Sequence, residues 1–221
     1  ASGFGRNGWV VAILMRDLSA DLVPSGDEPL SLLRHLTYLA DLAALSARML
    51  GWHDDVGLMP LVNRWTWFNR ACLEVEAERG WPEPVPRMAY HGWARFAERV
   101  PRAVADVVDE LRRDPSPLVT AALDTPTTFA HGDWKLGNVG TAADGRTVLI
   151  DWTYPGEAPP CYELAWYLSI NRARLPHSKE DAIEAFRSAL ERHGVETTSW
   201  FERQLGICLL GNMVIFGWEK A

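Results

Sequence analysis

The sequence predicts an α+β fold that is mostly helical, with one small β-hairpin set among longer helices. Three observations carry this expectation. Apolar residues recur at three- and four-residue steps over several long stretches, which is the spacing of one helix face. One Asp-Gly pair, Asp144-Gly145, lies between two short strand-like runs, the signature of a tight hairpin turn. The 221 residues, 48% of them hydrophobic, are enough to bury a substantial core as one large domain or two small ones.

Residues 9–15 form an apolar run of strand length, followed by Arg16-Asp17 and a stretch rich in Pro, Gly, Ser and Asp over residues 24–29. They read as one strand and a connector. Residues 31–50 place Leu32, Leu36, Leu39, Ala43, Ala47 and Leu50 along one side of a long core helix, and Gly51 is its stop signal. A second helical stretch is expected over residues 61–79. A third runs over residues 101–113, with Pro101 in its first turn and Val104, Val107, Val108 and Leu111 on one face. Together, residues 61–126 make a helical subdomain.

Residues 138–151 read as the hairpin, with Val148, Leu149 and Ile150 in the returning strand. Residues 163–170 start a buried helix. Ser178 caps another that carries Ile183, Phe186 and Leu190 and ends at Gly194, and residues 201–218 form a last helix, apolar nearly all round.

The most informative stretch is Phe129-Ala-His-Gly-Asp-Trp-Lys-Leu-Gly-Asn138, followed by Val148-Leu-Ile-Asp-Trp152. Asp133 and Asn138 stand in the H-x-D-x-x-x-x-N spacing by which kinase catalytic loops supply a base for the acceptor hydroxyl and a ligand for magnesium. Asp151 closes an apolar run and offers a second carboxylate to the metal. Phosphoryl transfer asks for positioning and charge neutralisation more than covalent help, and magnesium takes oxygen ligands, with one or two protein carboxylates sufficing beside the phosphates. A hairpin that begins after Asn138 and ends at Asp151 returns both ligands to one edge.

At these residues the chain resembles the aminoglycoside phosphotransferase and choline kinase superfamily, relatives of the protein kinases that use His-Gly-Asp where protein kinases use His-Arg-Asp. The resemblance rests on His131-Gly132-Asp133 with Asn138, on Ile150-Asp151-Trp152, and on Pro159-Pro-Cys-Tyr-Glu-Leu-Ala165, similar to the family's P-x-x-D-L-A element with Glu163 in the aspartate place. It implies Asp133 as catalytic base, Asn138 and Asp151 as metal ligands, and ATP or another nucleoside triphosphate with Mg2+ as cofactors. Lys135 stands where many members carry His; it matches the protein-kinase lysine that touches the transferred phosphate, or it is a solvated loop lysine. Glu163 reads as an anchor of the catalytic loop or a helix cap, and His131 as a holder of loop backbone.

By the same likeness, residues 1–25 are the last strand of a small N-terminal lobe and the hinge, where backbone groups at Arg16 and Leu18 would meet adenine. Residues 26–221 are the large C-terminal lobe of a protein-kinase-like fold, with the catalytic loop and metal hairpin over residues 127–175 and C-terminal helices over residues 176–221. The N-terminal β lobe is largely absent. Only Lys135, Lys179 and Lys220 are lysines among the 22 basic residues, so the strand lysine that pairs nucleotide phosphates is missing. The chain is expected to be a fragment with little activity alone. The alternative is a kinase-like binding or interaction module that transfers no phosphate.

A net charge of −7 argues against a nucleic-acid or anionic-membrane partner and is compatible with a cationic one. The expected partner is a small hydroxylated molecule. Glu157, Asp54 and Asp55 are acidic candidates to meet it, Glu157 first because it follows the metal aspartate, although solvated loop charges read the same way. Of the eleven tryptophans, Trp65, Trp67, Trp93, Trp134 and Trp152 are candidate pocket walls, with core packing the plainer role. Three cysteines without paired spacing indicate neither a disulfide framework nor a zinc site, and a cytoplasmic setting is expected.

Overall fold

In the computed structural model, Ser31 accepts a hydrogen bond from the Arg34 N–H and so starts α1 (Leu32–Arg48). Residues 2–5, 8–11 and 14–220 are described. Gly51 follows α1 at φ +79°, and its N–H donates to the Thr127 carbonyl, which ties the end of the helix to the strand that leads into the loop of residues 131–138. The buried face of α1 is His35, Tyr38, Leu39, Leu42, Ala43 and Ser46. The expected stripe is therefore rotated: Leu39 and Ala43 are inside, while Leu32 and Leu36 are exposed. Counting leucines alone passed over His35 and Tyr38, which face the core.

The helix expected over residues 61–79 is two helices, α2 (Leu61–Trp65) and α3 (Arg70–Glu78). Phe68 at φ +56° leaves the helical region, and Asn69 restarts it by accepting a hydrogen bond from the Cys72 N–H at 2.9 Å. Three helices follow: α4 (Pro84–Arg99), α5 (Arg102–Arg113) and α6 (Ser116–Leu123). In α5, Val108 is buried and Val104 and Leu111 half-buried, whereas Val107 is exposed. Pro101 stands just before this helix rather than inside it.

Among the described residues, six short strands form three antiparallel pairs. β1 (Ser2–Gly5) and β2 (Gly8–Val11) make a hairpin where one strand was expected over residues 9–15; residues 12 and 13 of that run lie outside the described residues. β3 (Thr128–Ala130) pairs with β6 (Gly156–Ala158) in the register Phe129 opposite Glu157. β4 (Val139–Thr141) pairs with β5 (Thr147–Leu149), and Gly145 at φ +86° sits in the turn, as the Asp-Gly pair predicts. The connector at residues 21–23 runs beside this hairpin: Val23 N–H donates to Val139, Thr141 N–H donates to Asp21, and a side chain on Gly140 would strike the Asp21 carbonyl at 2.3 Å.

α7 (Pro160–Ile170) begins three residues before its expected start and is buried on nearly every side. α8 (Lys179–Arg192), capped by Ser178, packs along α1, and α9 (Phe201–Phe216) packs against α7 before the chain closes in a 3-10 turn over Gly217–Lys220. Gly211 explains why an apolar helix carries a glycine: a methyl group there would meet the Trp65 indole at 2.3 Å. Leu39, Leu42, Trp65, Leu136, Tyr162, Leu164, Phe186 and Phe201 belong to one continuous core that reaches up to the loop of residues 131–138. No helix among the described residues is long and apolar enough to cross a membrane.

Candidate active site

The loop after β3 turns sharply at Gly132, whose φ is +90°. No other residue type fits there, because a Cβ would lie 2.0 Å from the Tyr154 carbonyl and 2.3 Å from Arg64 Nη1. The two N–H groups on either side of that turn point into the protein and are satisfied by one side chain. Glu163, fully enclosed in the first turn of α7, accepts from His131 N–H at 2.9 Å and Gly132 N–H at 2.8 Å. Burial pushes the Glu163 carboxyl up, while His131, the two N–H donors and Arg64 pull it down.

His131 holds backbone rather than meeting the cleft. Its Nδ1 accepts the Asp133 N–H at 3.2 Å, which places the ring proton on Nε2, and Nε2 lies 2.9 Å from the Ile150 carbonyl that accepts it. The ring packs edge-on to Trp152, centroids 4.5 Å apart. One imidazole thus joins the catalytic loop to the end of the β4–β5 hairpin.

This framework presents Asp133, which is 4% exposed. Its Oδ1 accepts from Trp166 Nε1 at 2.9 Å; its Oδ2 accepts from Lys135 Nζ at 2.6 Å and from Asn138 Nδ2 at 2.9 Å. Asn138 Nδ2 also reaches the Asp133 carbonyl at 3.0 Å, so its amide nitrogen is committed and its amide oxygen is turned away from Asp133. A carboxylate offers about four lone-pair positions, and three donors leave one for a further hydrogen bond. The arrangement is a fixed acceptor with one open direction.

Asp151 is exposed and takes φ +61°, a conformation that costs an aspartate on the order of 1 kcal/mol. Thr153 Oγ1 donates to Asp151 Oδ1. Its neighbour Ile150 donates to the Asn138 carbonyl at 3.0 Å and accepts from His131, so the hairpin returns Asp151 to the loop as the sequence suggests. Asn138 and Asp151 both carry side-chain oxygens, the donor type that magnesium takes. Among the described residues, no three His, Cys, Asp or Glu side chains gather into a metal cage.

The remaining candidates lie elsewhere. Arg16 and Leu18 belong to residues 14–18, which have no regular structure; the Leu18 carbonyl accepts from Asp21 and Leu22 N–H groups in a turn. Glu157 accepts from Thr127 Oγ1 at 2.7 Å and Asp54 N–H at 3.3 Å, and pairs with His53 Nδ1 at 3.0 Å. Desolvation works to raise its pKa, and those three donors outweigh it to leave the carboxyl below its ordinary value. With Asp54, Leu58, Val62 and Leu123 it lines a cavity of about 590 Å³. Trp65 and Trp134 are core residues, Trp67 and Trp93 half-buried, and Trp152 is 48% exposed beside Asp151.

Two residues of this site were not legible as such. Trp166 lies one helical turn after Glu163, so both fall on the α7 face turned to the loop; that i, i+3 spacing is the signal that could have found it. Arg64 lies behind Gly132 without any motif to mark it.

A family model described as the phosphotransferase enzyme family matches residues 37–195, more than half of the chain and all of the groups around Asp133. A search of curated proteins returned no match. Among solved structures, a similar chain is the crystal structure of choline kinase LicA from Streptococcus pneumoniae, at 11% sequence identity and a TM-score of 0.33. The alignment covers 86% of this chain and 64% of that one.

Proposed function

The chain belongs to the phosphotransferase enzyme family, and on that premise we propose that it moves the γ-phosphate of ATP, or of another nucleoside triphosphate, to a hydroxyl of a small molecule. The observation that carries this reading is the enclosed Asp133 carboxylate, fixed by Trp166, Lys135 and Asn138 with one acceptor direction open. In that direction Asp133 takes the hydroxyl proton while the hydroxyl oxygen attacks phosphorus and the bond to the leaving diphosphate breaks. Lys135, partly exposed and bound to the same carboxylate, is placed to swing to an oxygen of the transferred phosphate.

Asn138 Oδ1 and the Asp151 carboxylate are the groups that would hold Mg2+, which supplies charge neutralisation at the phosphates when bound. The left-handed Asp151 supports a role, because backbone strain at an exposed polar residue persists where function uses it. Backbone groups of Arg16 and Leu18 would meet the base, the Leu18 carbonyl already accepting from the Asp21 and Leu22 N–H groups in its turn. Glu157 and Asp54, lining the cavity of about 590 Å³, suit an amine-bearing acceptor.

Calorimetric titration of the longest native chain with Mg2+ and ATP tests the reading. Metal-dependent nucleotide binding is expected, and its absence would leave a kinase-like interaction module instead. A panel of amino and neutral alcohols, read by ADP release, then identifies the acceptor. Residues 1–221 alone carry no lysine on β1 or β2 to pair the nucleotide phosphates, so slow turnover is expected of them and robust turnover would overturn that expectation.

A further inference from the structure

Arg64 is 0% exposed, and none of its three guanidinium nitrogens has a hydrogen-bond partner among the described residues. Burial of an arginine without hydrogen bonds is expensive, and buried charges are retained where another charge offsets them. The guanidinium lies over the Tyr162 ring, 5.2 Å from its centroid, and neither it nor the Tyr162 hydroxyl reaches hydrogen-bond geometry. Its Nη1 and Nη2 lie against the glycines on either side of the site: Cβ atoms built on Gly132 and Gly156 would fall 2.3 and 2.9 Å from them. Both glycines therefore leave room for this side chain, one in the catalytic loop and one at the start of β6.

We propose that Arg64 is a positioning residue for Asp133: a permanent buried cation, set behind the catalytic loop, that keeps Glu163 ionised and so keeps the His131 and Gly132 N–H groups clasped. The charged and titratable groups facing Glu163 are His131 from the loop, Arg64 from α2 and the neighbouring Tyr162 in α7, which Asp133 faces in turn. Of these, Arg64 is the permanent positive charge, because a guanidinium keeps its proton throughout the working pH range. Without Arg64 the clasp would carry an enclosed, unbalanced negative charge, burial would push the Glu163 carboxyl further up, and protonation would weaken both N–H bonds. The proposal rests on the phosphotransferase reading only for the purpose it gives the loop.

Hydrogen exchange of the peptide covering residues 129–136, corrected for intrinsic exchange and followed from about pH 6 to about pH 8, tests it. The unsubstituted chain should show flat protection. Arg64→Met should lose about tenfold protection at the acid end and regain it at the alkaline end, the size expected for a shift of about one pKa unit. Adding Glu163→Gln to that variant should abolish the pH step, and Arg64→Lys, which keeps the charge, should stay flat.

If Arg64→Met does not fold, Arg64→Gln serves in its place. Equal loss in Arg64→Lys and the neutral variants, or a neutral variant without a pH step, would mean that Arg64 acts by shape and would overturn the proposal. The readout needs no nucleotide, so a chain that binds no Mg-ATP would sink the phosphotransferase reading while leaving this result intact.

Discussion

Asp133 receives donors from a helix, from its own loop and from the base of the hairpin, so its carboxylate has little freedom to rotate. Asp133→Asn keeps the shape but replaces one acceptor oxygen with an NH2 that faces existing donors. ADP release should fall by roughly 100- to 10,000-fold with the Km for nucleotide little changed, as for loss of a general base, and near-normal turnover would remove Asp133 from that role. Gly132→Ala is expected to be as damaging by another route, because its methyl group would meet the Tyr154 carbonyl at 2.0 Å. Circular dichroism together with ADP release should show a folded chain with a displaced loop. The residues legible in advance, Asp133, Lys135, Asn138 and Asp151, share one stretch whose spacing is fixed by the chain itself. Trp166, which holds Asp133 from 33 residues away, reaches it only through the docking of α7, and sequence spacing does not encode that distance.

At the scale of elements, α7 is the organiser: Pro160 opens it, Glu163 holds the loop backbone and Trp166 holds the Asp133 carboxylate. The hairpin, α1, α8 and α9 were readable because Asp144-Gly145, Ser31, Ser178 and long apolar periodicity are strong local signals. The break between α2 and α3 was not, since Trp and Arg continue a helical pattern across Phe68 and only the asparagine marks a restart. Asn69→Ala should therefore cost about 0.5–2 kcal/mol of stability in chemical denaturation, through the lost cap, while leaving phosphotransfer unchanged. A loss of activity with that variant would mean that α3 contributes to the site. The β3–β6 pairing escaped notice because three-residue strands carry too little pattern to read.

Across the whole molecule, one core links the α1–α8 pair to α7 and α9, and a buried histidine sits in it. His35 Nδ1 meets the Tyr167 hydroxyl at 3.0 Å, its Nε2 has no partner, and the His177 ring stands 5.2 Å away. Burial first, and the His177 charge second, push His35 from its ordinary 6.5 down to about 4. The unfolded chain therefore binds the proton more readily, so stability is complete above the ordinary histidine range and drains as pH falls towards the folded value. Denaturation at a series of pH values should show a loss of on the order of 2–3 kcal/mol across that window, and His35→Phe should flatten it. Unaltered pH dependence in that variant would assign the effect to other groups. Because the Trp166 indole N–H donates a hydrogen bond to Asp133, whatever settles on that carboxylate should shift the Trp166 share of the emission, isolated from the other ten tryptophans by difference against Trp166→Phe, giving an intrinsic optical gauge of site occupancy that requires no label and no knowledge of the acceptor.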